Sequence, residues 1–323
     1  MPQEIVVTRM KRAVAIVVLS GLYAVASACC GVAPSGQPVK FGDQSNIIVW
    51  NSATKTEDFI RNAFFDSKAK DFGFIAATPV MPKLAEGNER AFNFLAGLKP
   101  PSIGCSGGIA AKKGSATAGS IDVLQQVDVG KYAATTVRSD DPAAMSAYLK
   151  SNGYASNPDT DEWIAFYTKK NWVFTAFKVR EEPDGKSSTG VIKMTFKTDE
   201  PFNPYYVPGV NSGGNGILKL YFVSDGTYSA TVGHSEGWNS ALWDRQIPET
   251  KVSTLLAVLG MAETDLPKNL TVTYFEKHDW LEGAKDDLYF HRDSPVGKWA
   301  LGGIVLLGAG LWWFTRTRRA KLA

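Results

Sequence analysis

Gly233-His234-Ser235-Glu236-Gly237 matches G-x-S-x-G, the pattern that presents a nucleophilic serine on a sharp strand-to-helix turn. A serine there attacks only if a histidine takes its proton and an acid orients that histidine. Further along the chain, Asp265 or Asp279 is placed to orient and His278 or His291 to act as base, which makes Ser235, His278 and Asp265 the working set. The surroundings argue for a plain glycine-bounded turn. The residues after Gly237 (WNSALWDRQIP) do not read as a helix, and the apolar run beginning at Trp299 leaves too little chain for the rest of a hydrolase fold. No HGGG-like oxyanion loop occurs. A non-catalytic binding or scaffold domain is therefore the first expectation and a serine hydrolase the alternative.

Other constellations carry less chemistry. Asn157, Asp159, Asp161 and Glu162 resemble a calcium loop, but the glycine and distal glutamate of an EF-hand are missing. Asp159 or Thr160 capping a helix explains them better. His234, His278 and His291 are scattered among polar residues and read as surface histidines. Tyr205, Tyr206, Trp238 and Trp243 surround a glycine-rich stretch and would form either an aromatic ligand surface or a packed clamp. No P-loop, G-x-G-x-x-G or H-E-x-x-H is present, so no cofactor and no metal is expected.

The elements that would position these residues alternate between strand and helix. Asn46–Trp50 reads as a buried strand, and Thr56–Phe65 as a helix with Phe59, Ile60, Ala63 and Phe64 on one face. Phe72–Val80 reads as a strand closed by Pro79 and Pro82, and Glu86–Leu98 as a helix. The segment 99–120, rich in Pro, Gly, Ala and Ser, reads as a loop. Ile121–Val127 and Tyr132–Val137 read as paired strands, followed by helices over Ala143–Lys150, opened by Asp141-Pro142, and Thr160–Lys169. Trp172–Val179 and Val191–Lys197 follow as strands with a Gly/Ser turn between them. Pro201–Gly216 is the strongest breaker. After it come a hairpin of Leu218–Val223 and Tyr228–Val232 over Asp225-Gly226, a helix over Val252–Leu259 and a strand over Leu270–Phe275. The expected class is α+β, with mixed or antiparallel sheets, packed helices and a C-terminal transmembrane helix. The main domain would span 29–210 and a second β-rich subdomain 211–295.

Both ends read as membrane signals. Met10-Lys11-Arg12 leads into an apolar run that stops at Ala26-Ser27-Ala28, the form of a secretory signal peptide over residues 1–28. Cleavage after Ala28 is the leading reading and lipidation of Cys29 the alternative. Trp299–Phe314 is apolar and runs into Arg316, Arg318, Arg319 and Lys321. At about 1.5 Å per residue it covers roughly 24 Å of a hydrocarbon core near 30 Å, and Lys298 can snorkel to lengthen it. The expected span is 296–315, with the basic tail 316–323 on the cytoplasmic side and the main domain extracytoplasmic. A processed sorting tail is the other reading of the same segment.

Charge and cysteine agree with this topology. Residues 1–28 hold three basic residues and one acid, and 298–323 hold five basic residues and none, which leaves 27 basic and 31 acidic residues between them. That acidic middle makes nucleic acid an unsuitable partner; a membrane and an envelope protein or ligand fit better. The three cysteines are Cys29, Cys30 and Cys105. Adjacent cysteines seldom pair, so Cys105 is expected to bridge to one of the other two, stabilising by about 3–4 kcal/mol in the loop-entropy account.

Several stretches, taken in order, resemble the bacterial family catalogued as domain of unknown function 2330. They are Cys29-Cys30-Gly31, NIIVWN, Asp71–Phe74 leading to Pro79 and Pro82, Val129–Tyr132, Asp140–Gly153 and Thr195–Pro204. The chain carries Phe74 where the family pattern would have Trp, and Ala76 or Ala77 where it would have Pro. The resemblance covers roughly residues 29–210. It implies an extracytoplasmic bacterial protein with a signal peptide and often a C-terminal anchor, and it implies no activity.

Overall fold

The computed structural model describes residues 30–32, 39–67, 73–100, 122–154, 158–179, 187–188, 190–208, 216–279 and 284–293. In chain order the elements are β1 (Cys30–Val32), β2 (Val39–Asn51), β3 (Thr56–Ser67), β4 (Gly73–Thr78), β5 (Lys83–Glu86), α1 (Glu89–Ala96), β6 (Asp122–Val129) and β7 (Tyr132–Arg138). Then follow α2 (Pro142–Ser151), α3 (Pro158–Lys169), β8 (Val173–Val179), β9 (Ser187–Ser188), β10 (Ile192–Lys197), β11 (Phe202–Asn203), β12 (Ile217–Ser224) and β13 (Tyr228–Val232). The last are β14 (Glu236–Gly237), β15 (Trp243–Gln246), α4 (Glu249–Leu259), a 3-10 turn (Glu263–Asp265), β16 (Thr271–His278) and β17 (Leu288–Arg292). The class is α+β, as expected.

A central sheet in the order β15-β16-β12-β2-β3-β10-β5, with β9 added on β3, organises the chain. Its β2–β12 pairing is parallel and its other pairings are antiparallel. Alternation along the strands divides the core in two. Ile47, Val49, Ile60, Val223 and Val272 pack with Ala91, Phe92 and Leu95 of α1 and Leu255 and Leu259 of α4. Ile48, Trp50, Phe59, Met194, Leu220 and Phe222 turn the other way, toward a sheet β1-β4-β8-β7-β6 and a small sheet β11-β17-β13-β14. The helices α2 and α3 join the same core, with Trp163 of α3 against Phe174 at 6.0 Å between ring centroids.

The strand β3 corrects the expected helix over Thr56–Phe65. Its apolar residues fall in adjacent pairs, a spacing that fits a helix stripe and equally a strand covered on both faces. Burial decides for the strand: Glu57, Phe59 and Arg61 enter one core while Asp58, Ile60 and Asn62 face the other layer, all of them buried. The expected hairpin over Asp225-Gly226 is also corrected. The strands β12 and β13 lie in different sheets, and the turn between them is a corner between layers, where Arg292 of β17 donates to the Asp225 carboxylate and carbonyl, each at 2.8 Å. The strands β8 and β10, read from the sequence as strands with a Gly/Ser turn between them, lie in different sheets. The short β5 was not anticipated. By contrast Asn46–Trp50, the pair β6–β7, and helices α1 to α4 fall where the sequence places them. Asp141 caps α2 by accepting from the Ala143 amide at 2.8 Å.

Among the described residues no helix is long and apolar enough to cross a membrane. The expected signal peptide, span 296–315 and basic tail lie outside the described residues, as do Cys29 and Cys105; of Cys30 only the backbone in β1 is described. The segment expected to form a separate subdomain after residue 211 supplies β12, β15 and β16 to the central sheet, so both sides of that boundary share one sheet and one core.

Burial of charge has a measurable consequence at Glu57. Its carboxyl accepts from the Phe202 amide at 3.0 Å, its other oxygen has no partner, and burial pushes its pKa well above the ordinary value. The folded chain therefore holds a proton that the unfolded chain has released, and stability falls as pH rises past the ordinary glutamate value. Glu57→Gln keeps the acceptor without the charge. Its melting temperature should exceed the parent's by a few degrees at pH 8, and the gap should close toward pH 4 in a calorimetric pH series.

Candidate functional site

The helix-covered face of the central sheet is left open at one corner, beyond the C-terminal end of α4. There a cavity of about 430 Å³ is lined chiefly by Asp58 of β3, Lys83 of β5, Lys193, Thr195 and Lys197 of β10, and Asp265 of the 3-10 turn. Register builds it. Thr195 lies directly between Asp58 on one neighbour and Lys83 on the other, so the three form a row across three strands. Alternation in β10 sends Met194 and Phe196 into the core and Lys193, Thr195 and Lys197 to the cavity.

Most of the polar groups are fixed. Thr195 Oγ1 donates to Asp58 Oδ1 at 2.5 Å. Lys193 is 9% exposed and its Nζ donates to the carbonyls of Leu259 and Gly260 at 3.1 and 2.9 Å, tying the C-terminus of α4 to the sheet. Lys197 Nζ reaches the Thr54 carbonyl at 2.6 Å and Thr56 Oγ1 at 2.8 Å. Asp265 accepts from the Ala262 amide at 3.0 Å. Burial raises the Asp58 carboxyl, against the hydrogen bond from Thr195 and the charge of Lys193. Lys83 is exposed and has no hydrogen-bonding or ion-pair partner among the described residues.

A second cluster is closed and structural. Lys170, just beyond α3, donates to Asp286 and Asp287 at 2.9 Å each and to the Tyr289 hydroxyl at 3.2 Å. Its ammonium also lies 4.3 Å from the Phe166 ring centre and 5.3 Å from that of Trp172. Asp287 is wholly buried and accepts in addition from Tyr167 Oη and from the Tyr205 amide. Burial alone would lower the Lys170 ammonium; the two aspartates outweigh it and hold it above its ordinary value.

The sequence candidates land as follows. Ser235 is exposed in the turn of a β13–β14 hairpin, not on a strand-to-helix elbow, and forms no hydrogen bond among the described residues. Gly233 serves that turn: its φ is +57°, a Cβ there would meet Asp286 Oδ2 at 3.2 Å, and its amide donates to the Asp287 carbonyl at 2.9 Å. His278 is engaged by Glu276 at 3.1 Å and His291 by Thr231 at 3.0 Å. Asp265 lines the cavity on β10's side. Tyr206 stacks on Phe166 at 3.8 Å and Tyr205 meets Trp238 edge-on at 5.6 Å, whereas Trp243 stacks on Tyr274 at the edge of the central sheet. The four aromatics thus serve two separate packing sites. Sequence reading missed the cavity because Asp58 was assigned to a helix; the alternation K-M-T-F-K of β10 was its one legible signal.

A family model matches residues 23–230, over half of the chain; it is DUF2330, described as an uncharacterized protein conserved in bacteria. No curated protein matches. The matched span contains the floor of the cavity from Thr54 to Lys197, and the wall at Gly260–Asp265 lies beyond it.

The Lys170 cluster predicts a specific energetic pattern. Lys170→Met leaves Asp287 buried without its cation and should cost about 3–5 kcal/mol in chemical denaturation. Adding Asp287→Asn, whose amide oxygen still accepts from Tyr167 and Tyr205, should recover most of that loss.

Proposed function

We propose that this chain, which belongs to the DUF2330 family of proteins conserved in bacteria, is a membrane-tethered extracytoplasmic domain that binds a small polar molecule at the cell envelope. The observation that carries the binding reading is the open cavity on the central sheet. Its floor is three hydrogen-bonded strands, most of its polar groups are fixed by hydrogen bonds to backbone or to one another, and one lysine on its rim makes none among the described residues. A rigid floor and a free charge are what a binding site needs, since little ordering remains to be done when the ligand arrives. Ser235 lacks the neighbours of a nucleophile, which favours binding over hydrolysis.

The location rests on the sequence of the two ends: the signal-peptide pattern over residues 1–28, the apolar run 296–315 and the basic tail after it. A partner protein of the envelope would meet the same outward surface. The full chain expressed in a bacterial host should sediment with membranes and be degraded by protease added to spheroplasts. Mass spectrometry should find a mature chain starting at Cys29 and retaining Arg316–Ala323. A cytosolic chain still beginning at Met1 would overturn the location. A lipid mass on Cys29 would replace simple cleavage by a lipoprotein anchor.

A further inference from the structure

We infer that the cavity on β3, β5 and β10 takes a small organic anion, its carboxylate or phosphate received by Lys83 at the rim and a hydroxyl or amine of the same molecule received by Asp58 at the back. This deepens the binding reading above and rests on it.

Charge is the first argument. Three lysines and two aspartates line the cavity. Lys193 and Lys197 spend donors on backbone carbonyls, and Asp265 accepts from a backbone amide, so these three hold the walls together. Lys83 alone of the lining lysines makes no hydrogen bond or ion pair among the described residues, its charge acting on Asp58 only through space, and it stands at the mouth, on the edge strand. An ammonium left uncommitted beside a concave surface attracts an anion, and the flanking Lys193 and Lys197 add to its field.

Spacing is the second argument. Adjacent strands lie about 4.8 Å apart, so Lys83 on β5 and Asp58 on β3, separated by β10, stand roughly 10 Å apart across the sheet. Both side chains line one cavity, near enough for the Lys83 charge to favour the Asp58 carboxylate. A molecule with an anionic end and a hydrogen-bond donor several bonds away can meet both. Thr195 at the midpoint has its proton engaged by Asp58 and offers its lone pairs to a ligand hydroxyl. Asp58 is 6% exposed, with Oδ1 fixed by Thr195 and Oδ2 absent from the buried unpartnered atoms, so the second oxygen is the acceptor available from the cavity. A volume of about 430 Å³ suits a ligand of monosaccharide or amino-acid size.

The test is calorimetric titration of the detergent-solubilised full chain with three probes: glucuronate, inorganic phosphate and glucose. Glucuronate should bind saturably and glucose should not. Phosphate binding without glucuronate binding would identify a phosphate ligand; the reverse would identify a carboxylate. Lys83→Gln should weaken the anion about tenfold or more with little change in melting temperature, because Lys83 makes no hydrogen bond or ion pair among the described residues, and Lys83→Arg should restore binding. Asp58→Asn should weaken glucuronate and leave phosphate unchanged. Equal affinity in Lys83→Gln and the parent would overturn the assignment. Saturable binding of glucose equal to glucuronate would overturn the anion while leaving the binding reading intact. Heat from no probe, in a chain that still melts cooperatively, would overturn both.

Discussion

Everything in this structure follows from the covering of the central sheet on both faces. A strand with one wet face can be polar at every second position. The strands β2, β3 and β12 have no such freedom, and Ile47, Ile48 and Val49, like Leu220, Tyr221, Phe222 and Val223, are buried in succession. The constraint sets the rest of the architecture. Two helices suffice for one face. The other face is too broad for a single layer and receives two smaller sheets, with α2 and α3 joining their core. The one parallel pairing, β2 with β12, joins strands far apart in the chain. It therefore makes the first strands and the last depend on each other, and folding must close that long loop before the core is complete.

Two-sided burial also forces polar residues of central strands into the interior, and the chain answers each differently. Glu57 gains one amide donor and keeps its proton. Arg61 cannot lose its charge. One of its amino groups donates to Gln44 at 3.2 Å, and its guanidinium lies 4.9 Å from the centre of the Phe74 ring, joining the central sheet to the second. Its other two nitrogens have no hydrogen-bond partner. Asp287 takes the strongest solution: a lysine, a tyrosine hydroxyl and a backbone amide converge on it, and in doing so tie α3, the segment before β12 and β17 together. Desolvation is best offset where every oxygen has a donor, so this is the cluster on which the small third sheet depends.

The legible parts of the fold were those whose signals are local. Asp141-Pro142 marks the start of α2 and Gly130-Lys131 the turn between β6 and β7 because capping and turn chemistry act over a few residues. The illegible parts depend on which layer covers a segment. Phe59-Ile60 and Ala63-Phe64 in β3 fit a helix until the sheet on one side and the helices on the other are known. Asp225-Gly226 does reverse the chain, yet β13 pairs with β17, some sixty residues later, and so the bend is a corner and not a hairpin. Gly233-His234-Ser235-Glu236-Gly237 is the same kind of case: its glycine is required, but by Asp286 beneath the turn and not by a catalytic elbow.

The misreading of β3 also explains why the cavity was hidden and why it lies where it does. A site at the corner of a doubly covered sheet needs a strand whose outward residues change from apolar to polar along its length. In β3 that change runs from Ile60 under the helices to Asp58 and then Thr56 in the cavity; along β10 it runs from Val191, just before the strand, to Lys193 beneath Gly260 and on to Thr195 and Lys197. Where the helices stop, the same face that would otherwise carry a core carries hydrogen-bonding groups instead. Lys193 marks the boundary, since its stem lies on the sheet while its ammonium closes the end of α4. The geometry of the cavity is thus inherited from the sheet and its depth from the helix end. A change in how α4 terminates would alter the wall at Gly260–Asp265 without disturbing the row formed by Lys83, Thr195 and Asp58. Polar groups fixed on strands and a wall fixed by a helix terminus can vary independently of one another.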